Sequence, residues 1–457
     1  MSTKPKELSF KTALLPTGWV DDVAVCVDAS GDISNVASGA RNPQNGCLIP
    51  GLANLHSHAH QRAMAGLAER SGSNSDSFWA WRKTMYQFLH AMQPHHLRAV
   101  AAQLYLEMLI AGYTRVAEFQ YLHHQPNGKP YDNVAEMSLA TLAAAQELGI
   151  GMTSLPVHYQ FGGFGGQPVS DQQARFFNEP ESFLRIVENV RAASTADLNS
   201  NVGVAGHSLR AVDKQSFSQV LSDRADPDGP VHMHVAEQLK EIDDCVAWSG
   251  ARPVDYCLDH FDVNSQWCLI HATHMSESET QRLAASGAVA GICPTTEANL
   301  GDGFFNATPY LQAGGQFGIG SDSHISVSPT EELRWFEYGQ RLLHKSRNQL
   351  SGGPGRSTGR NLFELAVRGG AQACAHSAGA IEVGKRADFV VLDVDAATLT
   401  GRQGDELLDS WIFSGNSNCV ADVYVGGQQV ISAGRHPQQD QVEQNFRATM
   451  RELRGTL

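Results

Sequence analysis

Two histidines one residue apart, His56 and His58, end an apolar stretch that begins at Leu48. Because alternate side chains of a β-strand point to the same side, both imidazoles can face one point from the end of one short strand. Neutral imidazole nitrogens suit a divalent transition metal, zinc above all. The pair alone fits two polar loop residues equally well, since the chain contains 19 histidines. The positions of further candidate ligands therefore decide between the two interpretations.

Further histidines and carboxylates stand at the carboxyl ends of other β-rich segments. His232 and His234 lie on the same side of one segment, so either could be a ligand, while Asp322 ends another segment. Three imidazoles and a carboxylate form a zinc shell with room for a water, whose pKa the metal lowers to ~7. Asp322 could also accept the proton of that water. Glu237 and His271 would then remain as acid/base and electrostatic groups.

The elements that carry these side chains alternate between β and α character from about residue 48 onward. The helical stripe of Leu97 to Ala111, closed by Gly112, is one example of the α segments. Eight such strands over ~250 residues or more indicate a closed parallel (β/α)8 TIM barrel, with its active site at the carboxyl ends of the strands. An open doubly wound sheet is the competing architecture, but the sequence shows no glycine-rich phosphate loop after an early strand. The predicted strand ends carry His56 and His58; Gln120 and Tyr121; His158; His207 and Arg210; His232, His234 and Glu237; His271 and His274; Pro294 and Thr295; and Asp322 and His324.

The two ends of the chain are β-rich without helical alternation. We expect residues 1–48 and 378–457 to form one small β-sandwich domain, with a terminal helix from about Gln438, and the barrel of residues 49–377 to be inserted between them. We interpret His158, His274 and His324 as structural or as partners of the ligands. The doublets His95–His96 and His123–His124 are expected to be exposed to solvent.

Composition limits the possible partners and compartment. A formal charge of −14 argues against nucleic acid or an anionic membrane as partner. No apolar run approaches the ~18–20 residues of a membrane span, and no signal peptide is recognisable. The eight cysteines show no CxxC pair and are expected to be reduced thiols of a cytoplasmic protein, without disulfides.

Several motifs together resemble the amidohydrolase superfamily, in its mononuclear deaminase branch. No lysine stands at a strand end where a carbamylated bridging ligand would be needed, which favours one metal per subunit. The resemblance implies zinc bound by His56, His58, His234 and Asp322, and it ranks His234 above His232 because of the spacing to Glu237. The motifs are Pro50-Gly51-Leu52, His56-Ser57-His58, His234-Val235-Ala236-Glu237, the strand-end His271, Ser321-Asp322-Ser323-His324, and the segment from Gly379 to Phe389.

Within that branch, the chain is similar to the formimidoylglutamate deiminase family of bacterial histidine degradation. The resemblance implies hydrolysis of the formimino group of N-formimino-L-glutamate to a formyl group, with release of ammonia. It also implies that His271 orients the attacking hydroxide, Glu237 handles protons on the imino nitrogen and Asp322 shuttles the proton of the water. His60 departs from the aromatic residue expected at its position. The segments that carry the similarity are 58–64, 205–212 and 230–238.

Such a substrate is a small dicarboxylate, which an acidic protein must hold with local cations. Arginine suits this role because its planar fork binds a carboxylate through two hydrogen bonds. We predict Arg82 and Arg210 for the carboxylates and Gln61, Tyr121 and His207 for neutral hydrogen bonds. The alternatives are a related enzyme that deaminates a ring of the guanine or S-adenosylhomocysteine type, and a non-catalytic scaffold. A homodimer is expected from the fold class alone.

Overall fold

The structure is a computed structural model that describes residues 6–69 and 78–456 of the chain. Its strands fall into two sheets, one of which is the predicted barrel. They are β1 (Lys6–Leu15), β2 (Gly18–Val27), β3 (Ile33–Ser38), β4 (Gln44–Pro50), β5 (Leu52–Ser57), β6 (Tyr113–Gln120), β7 (Gly151–His158), β8 (Ser200–Val202), β9 (Val204–Ser208), β10 (Val231–Val235), β11 (Trp267–His271), β12 (Val289–Ile292), β13 (Gln316–Ile319), β14 (Phe389–Leu392), β15 (Val420–Val425) and β16 (Gln428–Ile431).

The helices of the described residues lie mostly between the barrel strands, as the alternating pattern predicts. A 3-10 segment, Ala59–Met64, follows the first barrel strand directly. The α-helices are α1 (Phe78–Ala91), α2 (Pro94–Ala111), α3 (Glu136–Leu148), α4 (Pro180–Ser194), α5 (Lys214–Asp223), α6 (Leu239–Ser249), α7 (Pro253–His260), α8 (Glu277–Ser286), α9 (Pro294–Leu300), α10 (Ala307–Gln312), α11 (Pro329–His344), α12 (Thr358–Ala373), α13 (Asp405–Phe413) and α14 (Gln439–Thr456).

Eight parallel strands form the nearly closed barrel, in the order β13-β12-β11-β10-β9-β7-β6-β5, with the short β8 paired to β7. A parallel bridge between Ser57 and Asp322 joins the two ends of this sheet. The approach is close, because a Cβ added at Gly320 would lie 2.7 Å from the Cβ of His56. The glycine therefore lets the end of β13 reach β5, and the predicted TIM-barrel fold is confirmed.

Strands from both ends of the chain form the second sheet, a mixed one of seven strands. Its order is β16-β15-β14-β4-β1-β2-β3, so chain segments from before and after the barrel pair at β4 and β14. A separate apolar cluster packs on this sheet, and in it the ring centres of Phe10 on β1 and Tyr424 on β15 lie 6.4 Å apart. The two ends of the chain thus form a separate β unit as predicted, built on one mixed sheet, and the residue boundaries at 48/49 and 377/378 stay predictions.

Some elements differ from the sequence expectation. Helix α13 was not foreseen, and two helices rather than one separate β12 from β13. All eight cysteines are free thiols and seven of them are buried, as expected from their dispersed positions. Across residues 6–69 and 78–456, none of the helices is long and apolar enough to cross a membrane.

Candidate active site

The four side chains predicted as metal ligands meet at the carboxyl end of the barrel. One ligand atom from each of His56, His58, His234 and Asp322 lies within 4.8 Å of the others, and all four residues are buried. The Nε2 atoms of His56 and His234 are 3.0 Å apart, and Nε2 of His58 is 3.2 Å from Oδ1 of Asp322. The structure therefore brings strands β5 and β10 and the segment after β13 to one point.

Hydrogen bonds fix which imidazole nitrogens face that point. Nδ1 of His58 donates to the carbonyl oxygen of Phe119 at 2.9 Å, and Nδ1 of His234 donates to that of His207 at 2.8 Å. Because a carbonyl oxygen can only accept, each Nδ1 carries a proton, and in the neutral ring Nε2 is then the atom that presents a lone pair. Burial also lowers the pKa of His56 to about 3, which keeps this imidazole neutral.

Converging lone pairs beside a carboxylate repel one another unless a cation lies between them. Three neutral imidazoles and one carboxylate are also the nitrogen and oxygen donors that zinc prefers. The ring hydrogen bonds to backbone carbonyls hold two of the imidazoles in the orientation that a metal ligand needs. The donor set of this site thus fits a divalent metal ion.

Glu237 and His271 lie beside the ligand group without belonging to it. Nε2 of His271 is 3.8 Å from Oε1 of Glu237 and 3.9 Å from Oδ2 of Asp322. Burial raises the pKa of Glu237, against the opposing effect of His271. Burial would lower the pKa of His271, but the carboxylates of Glu237, Glu297 and Asp322 outweigh it and raise that pKa to about 10. His271 can therefore carry a proton near neutral pH, and burial favours the protonated form of Glu237.

The turn after β10 holds Glu237 in place through strained backbone. Ala236 has a φ of 55°, in the left-handed region that a non-glycine residue seldom adopts. The carboxylate of Glu241 accepts the backbone N–H groups of Ala236 and Glu237 at 3.1 and 3.2 Å. Strained residues of this kind persist where surrounding contacts determine the conformation, often at functional sites.

A cavity of about 630 Å³ opens directly onto the ligand group. Apart from His56, which lies beneath, every residue predicted for the site lines it. The lining includes Arg82 from α1 and Arg210 after β9, so two guanidinium groups share the cavity with the metal-binding side chains. The predicted residues in the lining are His58, Gln61, Arg82, Tyr121, His207, Arg210, His234, Glu237, His271 and Asp322.

The polar side chains of the cavity are held by neighbours. Nη1 of Arg210 lies 3.5 Å from the buried carboxylate of Glu241. The Arg82 guanidinium lies 5.2 Å from the ring centre of Tyr86. The hydroxyl of Tyr121 accepts a hydrogen bond from Nε2 of Gln61 at 3.3 Å.

Other predicted histidines lie outside the ligand group. Nε2 of His232 donates to the carbonyl oxygen of Ala373 at 2.8 Å, so this rival ligand contacts helix α12 instead. His158 bonds to Asn178 at 2.8 Å. Nε2 of His324 accepts the backbone N–H of His58 at 3.1 Å and so supports a ligand through the main chain.

The expectation that both histidine doublets are exposed holds only for His95, because His96 and His123 are buried and His124 is partly buried. His96 is 5% exposed and accepts the N–H of Gln93 at the start of α2, whereas His95 is exposed. His123 is 1% exposed because its ring turns inward and bonds to the carbonyl oxygen of Val157 at 2.8 Å. A polar doublet after a strand end gives no signal of this tertiary contact.

Besides Glu241, the buried carboxylates of Glu118 and Glu297 contact the site and were not predicted. Glu118 on β6 accepts hydrogen bonds from Ser57 at 2.6 Å and from the N–H of Ala59 at 2.7 Å, which fixes the chain around His58. Burial raises the pKa of Glu118 to about 7. Glu297 lies 3.3 Å from Nδ1 of His271. The position of Glu118 inside an apolar strand was a signal that could have identified it.

The aromatic wall of the cavity was also missed. Its rings come from segments that are distant in sequence, so no single sequence motif predicts that they form one wall. The wall consists of Trp81, Tyr86, Tyr159, Phe164, Phe176 and Trp248.

With its mixed terminal sheet, its barrel and this His/Asp group, the chain belongs to the amidohydrolase family, whose profile matches residues 47–430. A formimidoylglutamate deiminase of Pseudomonas aeruginosa is 48% identical over 446 residues, which cover 96% of this chain and 98% of that protein. The crystal structure of an amidohydrolase from Brucella melitensis is 48% identical with a TM-score of 0.93, covering 98% of this chain and 99% of that one. An adenosine deaminase from Xanthomonas campestris with bound zinc shares the fold, at 21% identity and a TM-score of 0.81 over 98% of each chain.

Proposed function

We propose that this protein is a zinc-dependent deiminase that converts N-formimino-L-glutamate and water into N-formyl-L-glutamate and ammonia, a step of histidine degradation. The observation that carries the proposal is one cavity that contains both the His/Asp group and the guanidinium groups of Arg82 and Arg210. The 48% identity to a formimidoylglutamate deiminase supports it. Because the chain has a net charge of −14, binding a dicarboxylate requires local cations, and two arginines in the cavity meet this need.

Substrate binding falls to the polar groups of the cavity. Arg82 and Arg210 bind the two carboxylates of the substrate, and the nearby aromatic rings exclude water from its methylene groups. Gln61, Tyr121 and His207 add hydrogen bonds without charge, since burial lowers the pKa of His207 well below its usual range. Together these contacts orient the formimino carbon toward the metal-binding side chains.

His56, His58, His234 and Asp322 would hold one zinc ion per subunit. When bound, such an ion makes a water acidic enough to deliver hydroxide at neutral pH. Asp322 would take the proton of the attacking water. His271, whose Nε2 lies 3.9 Å from Oδ2 of Asp322, orients the hydroxide and stabilises the charge that develops as oxygen adds to the formimino carbon.

Glu237 acts on the nitrogen that leaves. Its raised pKa lets it hold a proton in the cavity and donate this proton to the terminal nitrogen of the amidine. Asp322 then passes the proton that it took from water to the same nitrogen, and the bond between that nitrogen and the formimino carbon breaks, so that ammonia leaves. The hydroxyl group on the carbon returns a proton to Glu237 and becomes the formyl oxygen. The water thus supplies one oxygen to the product and two hydrogens to ammonia.

We further propose a reducing, cytoplasmic setting and a homodimer. Free thiols at all eight cysteines support the first. The second is supported by the frequency of two-fold assemblies among soluble enzymes. Sedimentation of the purified protein measures the assembly directly.

A substrate panel tests the proposed function. The zinc-loaded protein is assayed for ammonia release from N-formimino-L-glutamate, N-formimino-L-aspartate, guanine and S-adenosylhomocysteine. We expect release from N-formimino-L-glutamate at a kcat/KM at least 100-fold above that for either ring compound. Preference for a ring compound would establish the alternative ring deaminase, and no release from any of them would favour a non-catalytic scaffold.

A further inference from the structure

Arg175, in the segment after β7, is a buried cation whose guanidinium binds three carbonyl oxygens and, within the described residues, forms no ion pair with a carboxylate. It is 3% exposed. Its Nε donates to the carbonyl oxygen of His124 at 2.8 Å, Nη2 donates to that of Met92 at 2.9 Å, and Nη1 donates to that of Leu89. Burial lowers the pKa of this guanidinium to about 10, so it remains charged at neutral pH.

Two of these carbonyls belong to the carboxyl end of helix α1. Leu89 lies in the last turn of the helix and Met92 directly follows its final residue, Ala91. The last carbonyls of a helix lack partners inside it and carry the negative end of its dipole. The Arg175 guanidinium therefore satisfies and neutralises the end of α1 from a segment that belongs to the barrel.

Helix α1 supplies one wall of the substrate cavity. Trp81, Arg82, Met85 and Tyr86 of this helix line it. Arg82 lies two helical turns before Leu89, about 10 Å away along the helix axis. A shift or rotation of the end that Arg175 holds is therefore transmitted to the guanidinium that is assigned to a substrate carboxylate.

Phe176, the residue after Arg175, adds a second connection between α1 and the barrel. Its ring stacks on that of Tyr86 from α1, with the two ring centres 6.1 Å apart. The centre of its ring also lies 5.0 Å from that of Tyr121, after β6, and 5.4 Å from that of Tyr159, after β7. Arg175 and Phe176 thus place the helix and two strand ends against one another at the cavity.

We propose that Arg175 is a positioning residue for substrate binding, which acts by fixing α1 so that Arg82 meets a carboxylate of the substrate. The proposal rests on the proposed function for the identity of that carboxylate. Arg175 itself does not line the cavity, so its effect on the reaction must pass through the helix. Loss of its three hydrogen bonds leaves the chemistry at the metal-binding side chains untouched and misplaces Arg82.

A double-mutant cycle tests this coupling. Arg175→Gln should raise KM for N-formimino-L-glutamate about tenfold, as expected for loss of part of a charged hydrogen bond, with kcat changed less than about threefold. In an Arg82→Met background the same substitution should change KM less than about twofold, because the group it positions is gone. If the double variant's rise in KM equals the product of the two single rises, the substitutions act independently and the proposal is overturned. A fall in kcat at unchanged KM in Arg175→Gln would also overturn it.

Arg334 provides a matched control. It donates to the carbonyl oxygens of Ile412 at 2.6 Å and of Gly415, at the end of α13, and it does not line the substrate cavity. Arg334→Gln should therefore leave KM unchanged. If Arg175→Gln does not fold, Arg175→Lys replaces it, since a single ammonium cannot reproduce the planar fork that reaches all three carbonyls.

Hydrogen exchange tests the docking of α1 without reference to any substrate. In the zinc-loaded protein, Arg175→Gln should increase exchange in peptides from residues 84–92 and leave peptides from β10 and β11 unchanged. Unchanged exchange at 84–92 would overturn the positioning role whatever the substrate is. Increased exchange together with a wild-type protein inactive on N-formimino-L-glutamate would instead overturn only the proposed function.

Discussion

Oε1 of Glu237 lies 3.8 Å from Nε2 of His271, and both side chains are almost completely buried at the floor of the cavity. The pair joins the ends of two adjacent strands, β10 and β11. A buried carboxyl and a buried imidazole at this distance can exchange a proton with a group bound between them. We propose that the four ligand side chains would hold the metal and that Glu237 and His271 act on the reacting groups.

Glu237→Gln should separate metal binding from turnover. The amide keeps the shape of the side chain but cannot donate a proton to the leaving nitrogen, so kcat should fall by about 10²–10⁴ while zinc content stays at the wild-type level. Steady-state kinetics and elemental analysis of the same preparation measure both quantities. Glu188→Gln, at an exposed position on α4, is the matched control. Retained turnover in Glu237→Gln would refute the assigned role.

His234 and His232 offer a direct test of the ligand assignment, because they lie two residues apart on β10. Nε2 of His234 faces His56 at 3.0 Å, whereas Nε2 of His232 bonds to the carbonyl oxygen of Ala373. His234→Gln should therefore lose bound zinc and activity, and His232→Gln should retain the metal. Elemental analysis after dialysis measures the zinc content of both variants. Loss of zinc in His232→Gln with retention in His234→Gln would show that His232, not His234, is the ligand.

Arg82 and Arg210 should control substrate affinity rather than the chemical step. Replacing either by Met removes a charged hydrogen bond of about 1.5–3 kcal/mol, which corresponds to a rise in KM of roughly 10- to 100-fold. Arg185→Met, on the exposed side of α4, should leave KM unchanged. Equal kinetics of Arg82→Met, Arg210→Met and wild type on N-formimino-L-glutamate would contradict the dicarboxylate assignment.

The buried His123 should make folding stability depend on pH. Burial lowers the pKa of His123 from 6.5 to about 3, so between these values the unfolded chain binds a proton that the folded chain does not. The contribution of neutral His123 to the free energy of unfolding is therefore complete above pH 6.5. It is lost as the pH falls toward 3, by about 1.4 kcal/mol per pH unit for one such group.

His123→Gln keeps an N–H donor for the carbonyl of Val157 and removes the titrating ring. The free energy of unfolding, from urea titrations of zinc-loaded protein between pH 5 and 7, should then fall less steeply with decreasing pH than in wild type. Because the other titrating groups are shared, their contribution cancels in the difference between the two proteins. Identical slopes would show that His123 is not buried in the neutral form.

The predicted site residues lie together in one cavity, and the sequence could indicate this because their positions follow local rules. The spacing of His56 and His58 on one strand, and the position of Asp322 after the eighth, needed only the two-residue period of a strand and the rule that barrel sites lie at carboxyl strand ends. The same rules gave the barrel. They also placed Arg210, which directly follows β9, in the cavity.

What the sequence did not reveal depends on contacts between distant segments. Glu118 and Glu297 are single carboxylates whose roles exist only once Ser57 and His271 lie beside them. Arg175 looks like any arginine in a loop until α1 packs against it. The inward turn of His123 was missed for the same reason, since its partner is a backbone carbonyl on another strand.

We propose that this His/Asp group, together with the arginine pair, hydrolyses a linear amidine at one zinc ion. The most direct measurement titrates zinc into metal-free protein with N-formimino-L-glutamate present, with ammonia assayed enzymatically and N-formyl-L-glutamate followed by NMR. We predict activity that rises in proportion to zinc and stops rising at one equivalent per subunit, with the two products formed in equal amounts. Ammonia without formylglutamate, activity that is independent of metal, or no turnover at one equivalent would contradict the account.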